Sequence, residues 1–347
     1  TDNVRATEAF LGGTDAPLKI AVDEAGNIYI ASGRDIWCWK VEAATGLIKV
    51  LVGNAGRGDS GDGGPASEAQ INLAKDVAVD RVGNVYIADH NSHRVRRVDA
   101  ITGIISTVAG TGASGSGGDG GPAVSAMLNF PRSLHVDGSD DLYIIDQVGI
   151  RRVDAAGSLS NLLEMHSFGF AGDGGPASEA AFNFSAAVLA DGEGEIYIAD
   201  TGNDRLRKVD SAGIISTVVG GGLDDGVQAT KTMLNAPNDV AVDAAGNIYI
   251  ADTGNNLIRK VDATTGIITS VAGGGNASYP DYGDGGPATE AVLNRPQGIF
   301  VDGDGVLYIA DTNNRKIRKV DGDGRISTVA GNPDAGVSLG DGGPAIG

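Results

Sequence analysis

Apolar residues along the chain occur in runs of four to six residues that are rich in valine and isoleucine, and short polar turns separate the runs. In residues 239–273 there are four such runs and three turns, which contain Gly, Asn, Asp or Thr. Valine and isoleucine favour extended backbone, whereas the turn residues allow the chain to reverse sharply. The pattern therefore predicts four short strands that form one antiparallel sheet, in which each strand pairs with the next.

The same unit occurs six times, and a tyrosine in the second strand marks each copy. Successive tyrosines are separated by 52 residues (Tyr197 to Tyr249) to 59 residues (Tyr249 to Tyr308). A single sheet cannot bury both faces, whereas a closed ring packs each sheet between two others. We therefore predict an all-β, six-bladed β-propeller in which each blade is a four-stranded antiparallel meander from one contiguous repeat. The predicted blades of this single domain (1–347) span approximately residues 19–53, 76–110, 133–163, 187–220, 239–273 and 298–331.

A second repeated phrase, Gly-Asp-Gly-Gly-Pro-Ala, lies between the blades. It occurs at residues 61–66, 118–123, 172–177, 283–288 and 340–345, and a short helical turn usually follows it. The N-terminal segment 6–11 matches segment 288–293, which follows the phrase, while the phrase itself recurs near the C-terminal end of the chain. We therefore expect the ring to close at a connection between blades, so that neither terminus lends a strand to a distant blade.

The string Val-Asp-x-x-Gly-Asn-Ile-Tyr-Ile-Ala-Asp-Thr-Gly-Asn-x-x-x-Arg-Lys-Val-Asp resembles the repeat of the NHL propeller family. That family is named for an Asn-His-Leu turn, which here is Ser92-His93-Arg94 or Asn255-Asn256-Leu257. The resemblance covers all six repeats, and the connections most resemble those of bacterial members and of the related teneurin propellers. It implies the fold but leaves the function open, because propellers serve as binding modules, enzymes and RNA readers.

Charge and composition narrow the possible partners. The chain has 26 Lys and Arg against 45 Asp and Glu, a formal net charge of −19, which repels nucleic acid and anionic lipid. No apolar run approaches the roughly 18 residues of a membrane helix. The single cysteine, Cys38, excludes an internal disulfide, and we expect it to be a buried hydrophobe.

From these features we expect no nucleic-acid partner, no membrane insertion and a monomeric protein. No signal-peptide pattern opens the sequence, but a trimmed start would remove one. The sequence itself leaves the compartment open. The resemblance to bacterial and teneurin propellers favours a secreted, periplasmic or cell-surface location.

One face of the predicted ring carries the long connections together with the turns between second and third strands, so we expect the binding site there. At the start of each innermost strand on that face the repeats stop agreeing, which indicates that packing does not dictate those residues. We expect them to form a polar mouth of the central channel; alternatively, they are only solvated strand ends. The predicted channel-mouth residues are Lys19, Lys75, Asp76, Arg132, Asn238, Asp239 and Gln297.

Aromatic residues form a second candidate surface. Trp37 lies at the rim of blade one, and Tyr279 and Tyr282 lie in the enlarged connection after blade five. Phe168 and Phe170 follow blade three. Each side chain offers a stacking surface for a sugar, a peptide or a protein; alternatively, each packs against its own loop.

Metal sites are weakly supported by the sequence. The four histidines lie in blades two and three, at His90, His93, His135 and His166. Three imidazoles can hold zinc, and a relative implied by the resemblance, peptidyl-hydroxyglycine lyase, uses a metal near the axis. However, His93 occupies the family's own turn, and only His135 lies on an innermost strand. The aspartates of segments 137–141 and 302–305 are too few for the six to eight oxygens of calcium. We predict no cofactor, and bound zinc or calcium is the alternative.

The sequence therefore favours a non-catalytic module that binds a protein, peptide, small-molecule or carbohydrate ligand through the loop-rich face and the channel mouth. The first alternative is a metal-dependent lyase or hydrolase with its site near the channel axis. The second is a structural spacer in a larger protein. No catalytic triad, phosphate loop or cysteine–histidine set is legible in the sequence, which favours binding.

Overall fold

A computed structural model describes most of the chain. The described residues are 4–9, 11, 19–32, 36–54, 56–164, 169–191, 194–221, 228–278 and 281–332. Of the residues considered above, Tyr279, His166, Phe168 and the copy of the repeated phrase at 340–345 lie outside these ranges.

The strands fall into six sheets, one for each repeat. Blade one has β1 (Val4–Arg5), β2 (Lys19–Val22), β3 (Ile28–Ala31), β4 (Cys38–Val41) and β5 (Leu47–Val52), and blade two has β6 (Ala74–Val79), β7 (Val85–Asp89), β8 (Arg94–Val98) and β9 (Ile105–Ala109). Blade three has β10 (Ser133–Val136), β11 (Leu142–Ile145), β12 (Gly149–Val153) and β13 (Leu159–Glu164), and blade four has β14 (Ala187–Ala190), β15 (Ile196–Asp200), β16 (Arg205–Val209) and β17 (Ile215–Val219). Blade five has β18 (Pro237–Val242), β19 (Ile248–Asp252), β20 (Leu257–Val261) and β21 (Ile268–Gly273), and blade six has β22 (Pro296–Val301), β23 (Leu307–Asp311), β24 (Lys316–Val320) and β25 (Ile326–Ala330).

Within the described ranges, the helical segments are 3₁₀ turns of three residues. Six follow the connections: Ala6–Glu8, Ala66–Glu68, Ala123–Ser125, Ala177–Glu179, Ala229–Lys231 and Ala288–Glu290. Four lie between second and third strands: His90–Ser92, Thr201–Asn203, Thr253–Asn255 and Thr312–Asn314. In the part of the chain that is described, no helix has the length and apolar character needed to cross a membrane.

Strand order within each sheet follows the chain, and the strands pair antiparallel. The predicted six-bladed propeller of four-stranded meanders is therefore confirmed. Blade one differs in one respect, because β1 adds a two-residue fifth strand beside β5. In blade two the corresponding contact is a single bridge, between Pro65 and Ile104. The extra strand therefore extends, by one residue pair, the pairing that a connection makes with the outermost strand region of blade two.

The chain divides into two compact units. Unit one comprises Thr1–Asn161, Thr312–Ile317 and Thr328–Gly347, and unit two comprises Leu162–Asp311 and Arg318–Ser327. In unit one, Cys38 and Val52 of blade one pack with Ile71 and Ile87 of blade two. Cys38 is fully buried, and this burial raises its thiol pKa to about 12, which confirms the predicted buried hydrophobe. In unit two, a core of the same kind joins Leu206 of blade four to Leu234 and Ile250.

The predicted ring closure is confirmed by contacts within unit one. The Gly331 N–H, after the last strand, donates to the Ala6 carbonyl at 2.8 Å. Gly110 makes the same contact with Ala123, at 3.0 Å, where the chain is continuous. The N-terminal turn therefore serves as the second half of a connection, as its sequence indicates.

The first glycine of the repeated phrase is required by space as well as by backbone conformation. Gly61 has φ +101°, and a Cβ there would lie 2.7 Å from the Cα of Ala69. The corresponding distance at Gly118 is 2.5 Å, to Ala126. A side chain at this position would push the phrase away from the helical turn that follows it.

Candidate functional site

A buried arginine on the third strand explains the aspartate of the repeated phrase. Arg207 is fully buried and lies 2.8 Å from Asp173 of the phrase and 3.8 Å from Asp200, which ends the second strand. Its guanidinium also donates to the carbonyls of Ala181 and Ala171. The same arrangement occurs in three other blades: Arg96 with Asp62 and Asp89, Arg151 with Asp119 and Asp146, and Arg318 with Asp284 and Asp311. These charges are therefore structural: each buried arginine pairs with carboxylates of its own blade and of the preceding connection.

Blade one replaces this ion pair with uncharged residues. Trp39 pairs with Ile30 as Arg96 pairs with Ile87, so the tryptophan occupies the arginine position. Ser32 occupies the position of Asp89. Trp39 and Ser32 are both buried. The cation and the buried anion have been removed together, which avoids leaving either one unpaired in the interior.

Of the buried carboxylates that the structure describes, Asp89 is the least satisfied. Its Oδ1 accepts from the Asn72 N–H at 2.8 Å, but its buried Oδ2 has no hydrogen-bond partner among the described residues. In blades four and five an asparagine donates to this oxygen, as Asn203 does to Asp200 at 2.8 Å. Blade two has Ser92 at that position. Burial raises the pKa of Asp89 to about 7, while that of Asp252, which keeps its asparagine, rises to about 6.

Replacing Ser92 with asparagine should stabilise the protein by about 1 kcal/mol at pH 8 and by less at pH 5. The folded-state pKa of Asp89 lies above its unfolded value of about 3.9, so stability is lost as pH rises between those values. An amide that donates to the ionised Oδ2 offsets this loss. Urea unfolding of Ser92→Asn and the parent at both pH values tests this, and equal gains would contradict it.

The predicted channel-mouth residues of unit one are Lys19, Lys75, Asp76 and Arg132. Lys19 and Asp76 are each only 5% exposed, and Asp76 accepts from the backbone N–H groups of Val77 at 2.7 Å and Leu134 at 3.0 Å. Asp76 therefore links the innermost strands of blades two and three. Lys75 and Arg132 are half-buried at the starts of those strands.

The remaining predicted mouth residues, Asn238, Asp239 and Gln297, are half-buried and lie in unit two. Asp239 repeats the role of Asp76, because it accepts from Val240 at 3.0 Å and Ile299 at 2.9 Å. The carboxylates of Asp76 and Asp239 thus already bind backbone amides. The prediction that the set contacts a ligand stays a prediction.

The turn between second and third strands holds the connection to the next blade. In blade two, His90 Nδ1 lies 2.9 Å from the Pro131 carbonyl, and His93 Nδ1 accepts from the Phe130 N–H at 3.2 Å. In blade four, the same contacts are made by Thr201 with Pro237 at 2.7 Å and by Asp204 with Ala236 at 2.7 Å. The two histidines therefore take over structural contacts that smaller side chains make elsewhere.

Each connection between described blades contains a non-glycine residue with left-handed backbone, one or three positions before the start of the next innermost strand. These left-handed connection residues are Leu73 (φ 82°), Phe130 (54°), Phe184 (52°), Ala236 (48°) and Arg295 (50°). The conformation costs about 1–2 kcal/mol for a residue with a Cβ. Glycine would avoid that cost, and the chain uses glycine freely elsewhere. Sequence reasoning did not single these residues out, because residue type alone does not reveal the sign of φ.

The described aromatic candidates come from separate loops, with Trp37 in unit one and Phe170 and Tyr282 in unit two. Trp37 is half-buried, and a Cβ at Gly53 would lie 2.6 Å from its ring, so the ring lies over that glycine. Phe170 is 43% exposed and has the Arg205 guanidinium 4.0 Å from its ring centre. Tyr282 is half-buried, and its carbonyl accepts from the Val292 N–H at 3.1 Å. Binding by these residues remains a prediction.

An open depression of about 500 Å³ lies in the connection after blade five. Backbone of Gly274, Gly275 and Gly286 lines it together with Asn276, Thr289 and Glu290. Among the residues that the structure describes, no three His, Cys, Asp or Glu side chains are grouped to hold a metal. The aspartates considered for calcium cap their own turns, since Asp137 accepts from Ser139 and Asp302 from Asp304.

Comparison with known proteins gives partial matches. A family model described as the teneurin NHL domain matches residues 278–338, and one described as the NHL repeat matches residues 234–261. Teneurin-3 of Mus musculus is 33% identical over 177 residues, which is 47% of this chain and 6% of teneurin-3. Protein SUPPRESSOR OF QUENCHING 1, chloroplastic, of Arabidopsis thaliana is 28% identical over 327 residues, 88% of this chain and 30% of that protein. The chain therefore spans less than a third of either relative.

Among solved structures, an auxiliary nutrient binding protein from Bacteroides ovatus superposes with a TM-score of 0.63 at 18% identity. The match covers 91% of this chain and 70% of that one. An identity this low is informative about fold alone.

Proposed function

The chain belongs to the NHL-repeat family of β-propellers, and from that premise we propose that it is a non-catalytic module that binds a peptide or small-molecule ligand through its connections. The ligand contacts would come from the left-handed connection residues and from the starts of the innermost strands. The fold itself is compatible with many functions. One structural neighbour with this fold is described as a nutrient binding protein, which agrees with the proposal but is informative only about fold.

The observation that carries the proposal is the variation at the left-handed connection residues. Leucine, two phenylalanines, alanine and arginine occupy equivalent backbone positions, and each carries a conformational cost that glycine would avoid. Two of these side chains, Phe184 (64% exposed) and Arg295, are exposed to solvent. A costly, variable and exposed side chain at a fixed position is expected where a ligand is contacted.

The charged residues that recur in the blades have structural contacts, which supports a non-catalytic role. The buried carboxylates Asp146, Asp200 and Asp311 are each paired with an arginine or with backbone amides. Groups held in this way stabilise the blades and are poorly placed to transfer protons to a ligand.

The double replacement Phe184→Gly, Arg295→Gly tests the proposal. Removing two left-handed side chains relieves backbone strain, so we expect the free energy of unfolding to stay unchanged or rise by about 1 kcal/mol. Thermal shift is measured against a panel of amino acids, dipeptides, monosaccharides and simple carboxylates. At least one compound should raise the melting temperature of the parent protein, and the double variant should lose that response.

Met233→Ala is the matched control, because Met233 is exposed in a connection but is not left-handed. It should retain the response of the parent protein. Mass spectrometry of the panel after incubation detects turnover. A panel without a hit, a hit that the double variant retains, or a compound that is chemically converted would each contradict the proposal.

A further inference from the structure

Several departures from the repeat lie together where blade two meets blade three. His90 stands where three other blades have threonine, and His93 stands where blades four and five have Asp204 and Asn256. Phe130 is the left-handed connection residue at this point, and Arg132 directly precedes β10, the next innermost strand. Lys75 is the second residue of β6, the preceding innermost strand. We refer to His90, His93, Phe130, Arg132 and Lys75 as the blade two–three cluster.

Aromatic contacts hold the cluster together within unit one. The ring centres of His93 and Phe130 are 4.4 Å apart in an edge-on arrangement, and those of His90 and Phe130 are 5.1 Å apart. The three rings come from two separate segments of the chain. Together they form a half-buried aromatic surface, which neither the turn of blade two nor the connection to blade three would form alone.

The hydrogen bonds fix the tautomers of both imidazoles. His90 Nδ1 faces a carbonyl oxygen, so it carries the proton and its Nε2 is an acceptor. His93 Nδ1 accepts from a backbone N–H, so its Nε2 carries the proton and is a donor. Neither Nε2 atom has a hydrogen-bond partner among the described residues. Burial, with the nearby charges of Lys75 and Arg132, lowers the pKa of His90, which keeps its ring neutral near pH 7.

The guanidinium of Arg132 has no hydrogen-bond or ion-pair partner among the described residues. Its backbone N–H donates to the Ile145 carbonyl at 2.8 Å, but its side chain makes no hydrogen bond or ion pair with any described residue. Burial lowers its pKa, and Asp146 partly opposes that effect. Asp146 is itself committed, because it accepts from three backbone N–H groups and pairs with Arg151.

Two other carboxylates near the cluster face groups of the protein. Asp76 accepts from the backbone of Val77 and Leu134. Asp89 accepts from the Asn72 N–H through Oδ1, and its buried Oδ2 faces the Arg96 guanidinium at 3.8 Å. The cluster therefore combines two cations with an aromatic surface in a protein whose net charge is −19. A half-buried cation of this kind is stabilised by an anion that reaches it from solvent.

We propose that the blade two–three cluster binds the carboxylate of a small ligand, with the guanidinium of Arg132 and the Nε2–H of His93 on the carboxylate oxygens and an apolar part of the ligand against Phe130. The inference rests on the proposed binding function and names the ligand class. A planar guanidinium matches the two oxygens of a carboxylate. A multiply charged anion such as phosphate is disfavoured, because the protein's field repels it.

Benzoate is the probe, and acetate and inorganic phosphate are the comparison anions. The chain has four histidines, so their imidazole C–H signals are resolved in a proton NMR spectrum, and His90→Gln and His93→Gln assign the relevant two. Benzoate should shift both signals at millimolar concentration and raise the pKa of His90. Acetate should bind at least fivefold more weakly, since it lacks the ring, and phosphate at equal ionic strength should cause no saturable shift.

Arg132→Gln should weaken benzoate binding about tenfold. Arg132→Lys keeps the positive charge but cannot donate two parallel hydrogen bonds, so its affinity for benzoate should lie between those of Arg132→Gln and the parent protein. Lys231→Gln removes an exposed cation from another connection and should change nothing. Absence of a benzoate response, equal binding by Arg132→Gln or tighter binding of phosphate would overturn the inference. If other panel compounds bind while benzoate does not, the inference fails and the proposed function stands.

Discussion

Replacing Arg207 with methionine should lower the free energy of unfolding by about 3–5 kcal/mol, because it leaves a buried carboxylate without its cation. Arg207 and Asp200 are both fully buried and lie 3.8 Å apart. Methionine fills part of the volume but satisfies neither Asp200 nor the carbonyls of Ala171 and Ala181. The loss should be smaller at low pH, where protonation of Asp200 removes the uncompensated charge.

Lys208 provides a matched control on the opposite face of the same strand. Its ammonium lies 2.5 Å from Glu195, but the two side chains are 26% and 25% exposed. Lys208→Met should therefore cost less than about 1 kcal/mol. Urea unfolding of both variants at pH 7 and pH 5 measures the difference. Similar losses for the two variants would show that the buried pair contributes no more than a surface pair.

Most of the fold follows from the sequence because each element depends on a local pattern that is copied six times. Runs of valine and isoleucine between polar turns define the strands, and the match of segment 6–11 to segment 288–293 predicts the closure that Gly331 and Ala6 make. Three innermost strands begin two residues earlier than predicted, at Ala74, Pro237 and Pro296. Strand ends are poorly determined by pattern, because the last pairs depend on the neighbouring connection.

The partners of the charged residues could be predicted only in part. Alternation along a strand shows that Arg207 and Lys208 face opposite sides, and hence that they do not form one basic patch. It does not show which carboxylate meets the arginine, since Asp173 is 34 residues away in the sequence. That pairing depends on how the connection folds back over the blade.

The candidate site was predicted less completely than the fold. Lys75 and Arg132 were recognised from their variation among the repeats, and the structure places both near His90. Asp76 was recognised in the same way, but its carboxylate binds the backbone of the next blade's innermost strand. Phe130 was missed, because its importance lies in a left-handed backbone that its sequence does not reveal.

Replacing Trp39 with arginine should destabilise the protein by at least about 4 kcal/mol, although arginine is the residue that the other blades have at this position. Trp39 is 1% exposed, and the buried aspartate of the other blades is replaced here by Ser32, which is also buried. A guanidinium at position 39 would therefore lie in the interior without a buried carboxylate, and the packing of the indole would be lost.

The double variant Trp39→Arg, Ser32→Asp separates these two causes. Ser32→Asp alone should also destabilise, because it buries a carboxylate beside an indole. Together the two changes recreate the pair that Arg96 and Asp89 form in blade two, so we expect the double variant to recover about 1–3 kcal/mol relative to the sum of the single losses. A double-mutant cycle by urea unfolding measures this coupling. Additive losses would mean that the tryptophan and the serine of blade one are independent substitutions, whereas a favourable coupling shows that the blade exchanged its buried ion pair as a unit.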